Sequence, residues 1–176
     1  LILAQAPGGK AAEKKAAPPK GPADLAVAAW NKARTEPAGK TQAGFANVVA
    51  VGMEYVTKFP THGQIGTVVN QLASFAGGID PKQPALRVSY LSLLKLEIAN
   101  QRYKEGVTDP IKAALAALDA SIADFELRQS ANRDTLVALR EKIDALAETP
   151  GATRFLSERE RSYAHLLTLM KQVPRA

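Results

Sequence analysis

Between Pro110 and Pro150 the chain contains neither glycine nor proline, and large apolar residues recur there at alternating intervals of four and three. The series is Ile111, Leu115, Leu118, Ile122, Phe125, Gln129, Asn132, Leu136, Leu139, Ile143 and Leu146. A strand would need a period of two, whereas a mean period of 3.5 is that of a coiled-coil-like helical seam. Asp109-Pro110 supplies a helix-opening pair, with Asp as cap and Pro in the first turn. The spacing therefore predicts one amphipathic helix over about 110–148, roughly 58 Å long at 1.5 Å per residue. Gln129 and Asn132 interrupt the apolar series. They can form a polar layer that fixes register in a continuous helix, or mark a break with Ser130 capping a second helix. Ser130 has no Glu or Gln three residues on, so continuity is the expectation.

The rest of the body also reads as helix. Aromatic residues are only 6% of the chain while hydrophobic residues are 46%, a balance that favours close-packed helices over sheet. Asp24 to Thr35 is expected as a short helix with Leu25, Ala28, Ala29 and Lys32 along one side and Trp30 as a core anchor. Thr41 to Phe59 and His62 to Phe75 form an αα-hairpin about Pro60, with Gly44 and Gly52 permitting close approach by another helix. Asp80-Pro81-Lys82-Gln83 resembles a capped helix start, opening a helix to about Lys104. A last helix follows Pro150-Gly151, from about Ala152 to Gln172, with Leu156, Tyr163, Leu166, Leu167 and Met170 on its apolar side.

The expected fold is all-α: an elongated helical bundle or helical-hairpin array built around the long heptad-patterned helix. Residues 23–176 form the domain, divided into N-terminal helices and hairpin (23–79) and a long-helix bundle (80–176). The half-length helices on either side of the long one are expected to lie antiparallel against its two halves. Helix starts near 41, 84 and 130 suggest a loose repeat, a period found in helical arrays. Phe59-Pro60-Thr61-His62 at a helix turn faintly resembles the tetratricopeptide proteins, although the rest of their motif is missing. That resemblance implies an adaptor that holds a peptide or partner helix in a groove.

Residues 1–22 have a different character. Leu1-Ile2-Leu3 followed by Ala4-Gln5-Ala6 resembles the end of a signal-peptide apolar region and its small-residue cleavage site, so a periplasmic or exported protein, cleaved or membrane-tethered upstream, is the expectation. Residues 7–22 are rich in Pro, Gly and Ala and read as a flexible arm. Lys10, Lys14, Lys15 and Lys20 against Glu13 give this segment +3 of the chain's net +6. These lysines are candidate contacts to an acidic partner. Nucleic-acid association through four lysines would be weak and salt-sensitive, and is a second alternative.

No pattern of known chemistry emerges. The chain has no cysteine, which removes disulfides, thiolate metal sites and thiol catalysis. His62 and His165 are its two histidines, and neither has a ligand-spaced partner such as Glu-x-x-His or His-Glu-x-x-His. Gly63-x-x-Gly66-Thr67 lacks the lysine of a phosphate loop. Asp119, Asp124, Asp134 and Glu141 are expected on solvated sides of the long helix, with Asp124 and Arg128 paired at i,i+4. No catalytic residue, metal, cofactor or small-molecule substrate is implied. The sequence points instead to a non-catalytic structural or accessory subunit that acts as a helical scaffold for other protein subunits in an exported or membrane-associated assembly.

Overall fold

A computed structural model of the protein describes residues 20–155, 161, 162, 164–166, 168 and 171. Among these residues every regular element is helical. The α-helices are α1 (Pro22–Thr35), α2 (Phe45–Lys58), α3 (Ile65–Ser74), α4 (Pro84–Arg102), α5 (Asp109–Gln129) and α6 (Arg133–Glu148), and the described residues 161, 162, 164–166 and 168 are also helical. The expected all-α bundle is the observed architecture. Leu156, Tyr163, Leu167 and Met170 lie outside the described residues, and Ala152–Phe155, the expected start of the last helix, is a 3-10 turn.

The single long helix does not form. Its two halves are α5 and α6, folded back as an antiparallel hairpin in which Lys142 reaches Asp119 at 3.8 Å. The break has a chemical cause in the residues of the turn itself. Asn132 caps α6: its side chain accepts from the Thr135 backbone N–H at 3.0 Å, and Thr135 Oγ1 accepts from the Asn132 N–H at 3.0 Å. This is a capping box with threonine at its third position. Thr135 also donates to the Ser130 carbonyl at 2.8 Å, so one hydroxyl closes the turn and opens the helix.

Folding back places α5 at the centre. Neighbours on several sides (α3, α6, α4 and α2) bury Leu115, Leu118, Ile122 and Leu127 together with Ala113, Ala114, Ala116, Ala117, Ala120 and Ala123. The alanines are what allow this: a helix edged with small side chains admits partners on more than one face. α4 runs antiparallel to α5, as expected, with Lys95 on Glu126 and Arg102 on Asp119. The helix starts at Phe45, Pro84 and Arg133 are unevenly spaced, so any repeat among the hairpins is a loose one.

Two other expectations need correction. The buried side of α1 is Val27, Trp30 and Ala33, while Leu25, Ala28, Ala29 and Lys32 face outward. Alanine has little preference for either side, and the bulk of Trp30 decides which way the helix rolls. Similarly, α4 starts at Pro84 and not at Pro81. Asp80 closes its own turn, accepting from the Lys82 N–H at 2.9 Å, and Pro84 forces Gln83 out of helical geometry (φ −122°, ψ 65°).

Trp30 is the core anchor expected. It is fully buried, and its Nε1 donates to Gln71 Oε1 at 2.9 Å. Gly52 lies beneath it; a Cβ there would stand 2.5 Å from Leu72 Cδ2 and 3.0 Å from Trp30 Cζ3. Close approach of helices is thus the role of this glycine. His62 bonds the buried Tyr55 hydroxyl through Nδ1 at 2.6 Å. Arg154 donates to the carbonyls of Pro60, Thr61 and His62 at 2.9–3.0 Å, so the C-terminal 3-10 turn is docked onto the α2–α3 corner.

Burial raises the phenol pKa of Tyr90 and Tyr55 above the ordinary 10.0; at Tyr55 a smaller lowering by Arg154 opposes it. Tyr90 donates to the Leu72 carbonyl at 2.7 Å, a bond that its ionised form cannot make. A pKa raised in the fold stabilises it fully below the unfolded value, and the contribution is lost as pH rises. Stability is therefore expected to hold to about pH 10 and then fall by up to about 1.4 kcal/mol per pH unit as the Tyr90 phenol is kept neutral by the fold. Urea midpoints measured across that range check this.

Candidate partner-binding face

α4 is apolar on two sides. Its inner side, Tyr90, Leu91, Leu94 and Ile98, is buried in the core. The outer side carries Ala85, Val88, Ser92, Leu96, Ala99 and, at the cap, Tyr103. Successive members are three or four residues apart, which puts them on one stripe. Val88, Leu96 and Tyr103 are 63%, 58% and 89% exposed. These three are among the five large hydrophobic residues exposed in the described structure, so the exposure is concentrated on one helix.

The stripe contains no charged residue and spans roughly 27 Å at 1.5 Å per residue. Large side chains at 88, 96 and 103 alternate with the small ones at 85, 92 and 99, so it offers both knobs and holes. Along one border run Lys95 and Arg102, already paired with Glu126 and Asp119 of α5. On the other side, Leu93, Glu97, Gln101 and Lys104 edge a groove of about 450 Å³ against Ala46, Val49, Ala50 and Met53 of α2. A surface of this kind can dock an amphipathic helix.

The residues singled out by spacing have a different location. Leu115, Leu118, Ile122, Leu139, Ile143 and Leu146 are buried, and Ile111, Phe125 and Leu136 are partly buried against the core. The seam is thus an internal hairpin interface. Gln129 and Asn132 are exposed at its turn, and Gln129 accepts from Arg87 Nη1 at 3.2 Å. Lys20 is exposed, whereas Lys10, Lys14 and Lys15 lie outside the described residues. Sequence reasoning missed the outer stripe. Its signal was the surplus of α4: Leu91, Leu93, Leu94 and Leu96 are more leucines than a single helix face can hold.

Asp119 and Asp124 are not on solvated sides. Their carboxylates are 12% and 16% exposed and paired, Asp119 with Arg102 and Lys142, Asp124 with Arg128 at 3.0 Å. Among the described residues there is no group of His, Cys, Asp and Glu able to hold a metal, and no helix long and apolar enough to cross a membrane. Compared with protein-family models, with curated proteins and with solved structures, the chain matches none.

Proposed function

We propose that the chain is a non-catalytic accessory subunit, a helical scaffold that packs against another protein of a larger exported or membrane-associated assembly. The observation that carries this reading is the charge-free outer stripe of α4. Contiguous exposed apolar surface on a protein of this size is a mark of interaction. The occupant it fits is an amphipathic helix of a partner subunit, with apolar residues at heptad spacing. The Leu-Ile-Leu and Ala4-x-Ala6 residues support the export part of the reading, and the lysine arm supports a second, weaker contact to an acidic partner.

An adaptor that captures a peptide is the alternative, and the groove between α2 and α4 favours it. Both readings use the same side of the molecule but differ in register. Photo-crosslinking residues placed at 96 and 103 in cells separate them from each other and from chance contact. The scaffold reading expects one dominant protein adduct from both positions, absent from Glu141 on α6 as control. Val88→Glu with Leu96→Glu is expected to abolish the adduct from 103 without unfolding the protein. Adducts from 50 and 101 but not 96 would transfer the assignment to the groove, and equal labelling at 141 would end both readings.

A further inference from the structure

A second cleft, of about 460 Å³, opens where the start of α4 meets the turn between α5 and α6. Pro84, Val88, Leu91 and Phe125 give it an apolar wall, and Arg87, Glu126 and Gln129 stand among them. Arg87 is held in place. Its Nε and Nη2 donate to the Ile79 carbonyl at 3.2 and 3.0 Å, and its Nη1 donates to Gln129 Oε1 at 3.2 Å. A guanidinium carries five N–H groups, so these bonds leave donors to spare. No carboxylate bonds to Arg87 among the described residues, and Glu126, the acid of this wall, is taken by Lys95. Accepting from Arg87 also orients the Gln129 amide, whose own N–H groups make no bond among the described residues.

A fixed cation beside an uncharged apolar wall selects a ligand that has both characters. The guanidinium fork matches the two oxygens of a carboxylate. The starts of α4 and α6, at Pro84 and at Asn132 and Thr135, border the same space, and helix starts favour negative charge. α5 ends here too, but its last carbonyls are occupied: Glu126 accepts from the Ser130 N–H, and Ser130 accepts from Thr135 Oγ1. The rest of the ligand must be hydrocarbon, because Val88, Leu91 and Phe125 offer it no hydrogen-bonding group. The volume lies within the range of small-molecule sites. We propose that this cleft binds a medium-chain fatty acid. Its carboxylate accepts from Arg87 and the Gln129 amide, and its alkyl chain lies along Pro84, Val88, Leu91 and Phe125. Binding here does not require a partner helix on the outer stripe, although Val88 borders both.

Methyl NMR of the full chain titrated with octanoate tests this, with acetate (charge without chain) and 1-octanol (chain without charge) as half-ligands. Saturable shifts of the Val88 and Leu91 methyls are expected with octanoate, each half-ligand binding about tenfold more weakly or worse. Arg87→Gln, checked for folding by circular dichroism, is expected to weaken octanoate by about tenfold or more. If that variant does not fold, Val88→Glu, at an exposed position, carries the same expectation by setting a like charge beside the site. Absence of saturable shifts at these methyls would overturn the proposal. Either half-ligand binding as tightly as octanoate, or undiminished affinity in a folded variant, would overturn it equally.

Discussion

Trp30→Ala is expected to lower the free energy of unfolding by about 3–5 kcal/mol, the range for emptying a fully buried tryptophan site. The indole is enclosed where α1 meets α2 and α3, with Gly52 beneath it and Gln71 holding its N–H. Collapse into the space is opposed by the close approach of Leu72 to Gly52, which already fixes the distance between α2 and α3. The substitution also leaves the Gln71 carbonyl without its donor, a further cost where the group stays shielded from water. Trp30→Phe separates the two effects, since it keeps most of the bulk and loses only the hydrogen bond. Its expected cost is about 1–3 kcal/mol. Because Trp30 is the only tryptophan, urea unfolding followed by far-ultraviolet circular dichroism is the right measurement. A loss below about 1 kcal/mol for the alanine variant would show that α1 contributes little to the core.

The second large effect concerns topology. Asn132→Leu combined with Thr135→Glu is expected to drive the chain into a domain-swapped dimer. The apolar spacing continues in phase from α5 through the turn into α6, so what separates the two helices is the cap. Removing a reciprocal Asn/Thr box costs about 1–2 kcal/mol on the hairpin side. Leucine at 132 also fills the seam position, and glutamate is a better helix former than threonine. With α5 and α6 fused, the seam can be buried only by exchange, with α6 of one copy on α5 of another. Sedimentation should report twice the monomer mass at unchanged helix content. A variant that stays monomeric at wild-type stability would show that packing around α5, and not the cap, dictates the turn.

The fate of the seam shows what periodicity can and cannot reveal. Spacing identified Leu115, Leu118, Ile122, Leu139, Ile143 and Leu146 as interior, and all six are buried. A hairpin whose turn preserves phase has the same hydrophobic period as a continuous helix, so spacing alone could not distinguish them. The deciding information was local and was present, in Asn132-x-x-Thr135. Charge was harder to place. Asp119 and Asp124 lie off the seam and read as solvated, but a helix surrounded by neighbours has no solvated side through most of its length. Their burial follows from alanines elsewhere on α5 that seemed neutral in the pattern. The outer stripe of α4 was legible only as an excess of leucine. Its exposure depends on how α4 is rolled against α2 and α5, and that roll is a property of the assembled bundle.

The surrounded position of α5 also governs how this molecule can come apart. A peripheral helix can detach and return while the remainder persists. α5 has no such freedom, because any departure would strip cover from α3, α4 and α6 together. Local openings must therefore begin at the rim, with α5 released only when the whole cooperative unit fails. The Arg154 clasp works the same way from the other direction: it joins the segment following α6 to the corner between α2 and α3, binding sequence-distant parts of the chain into that one unit.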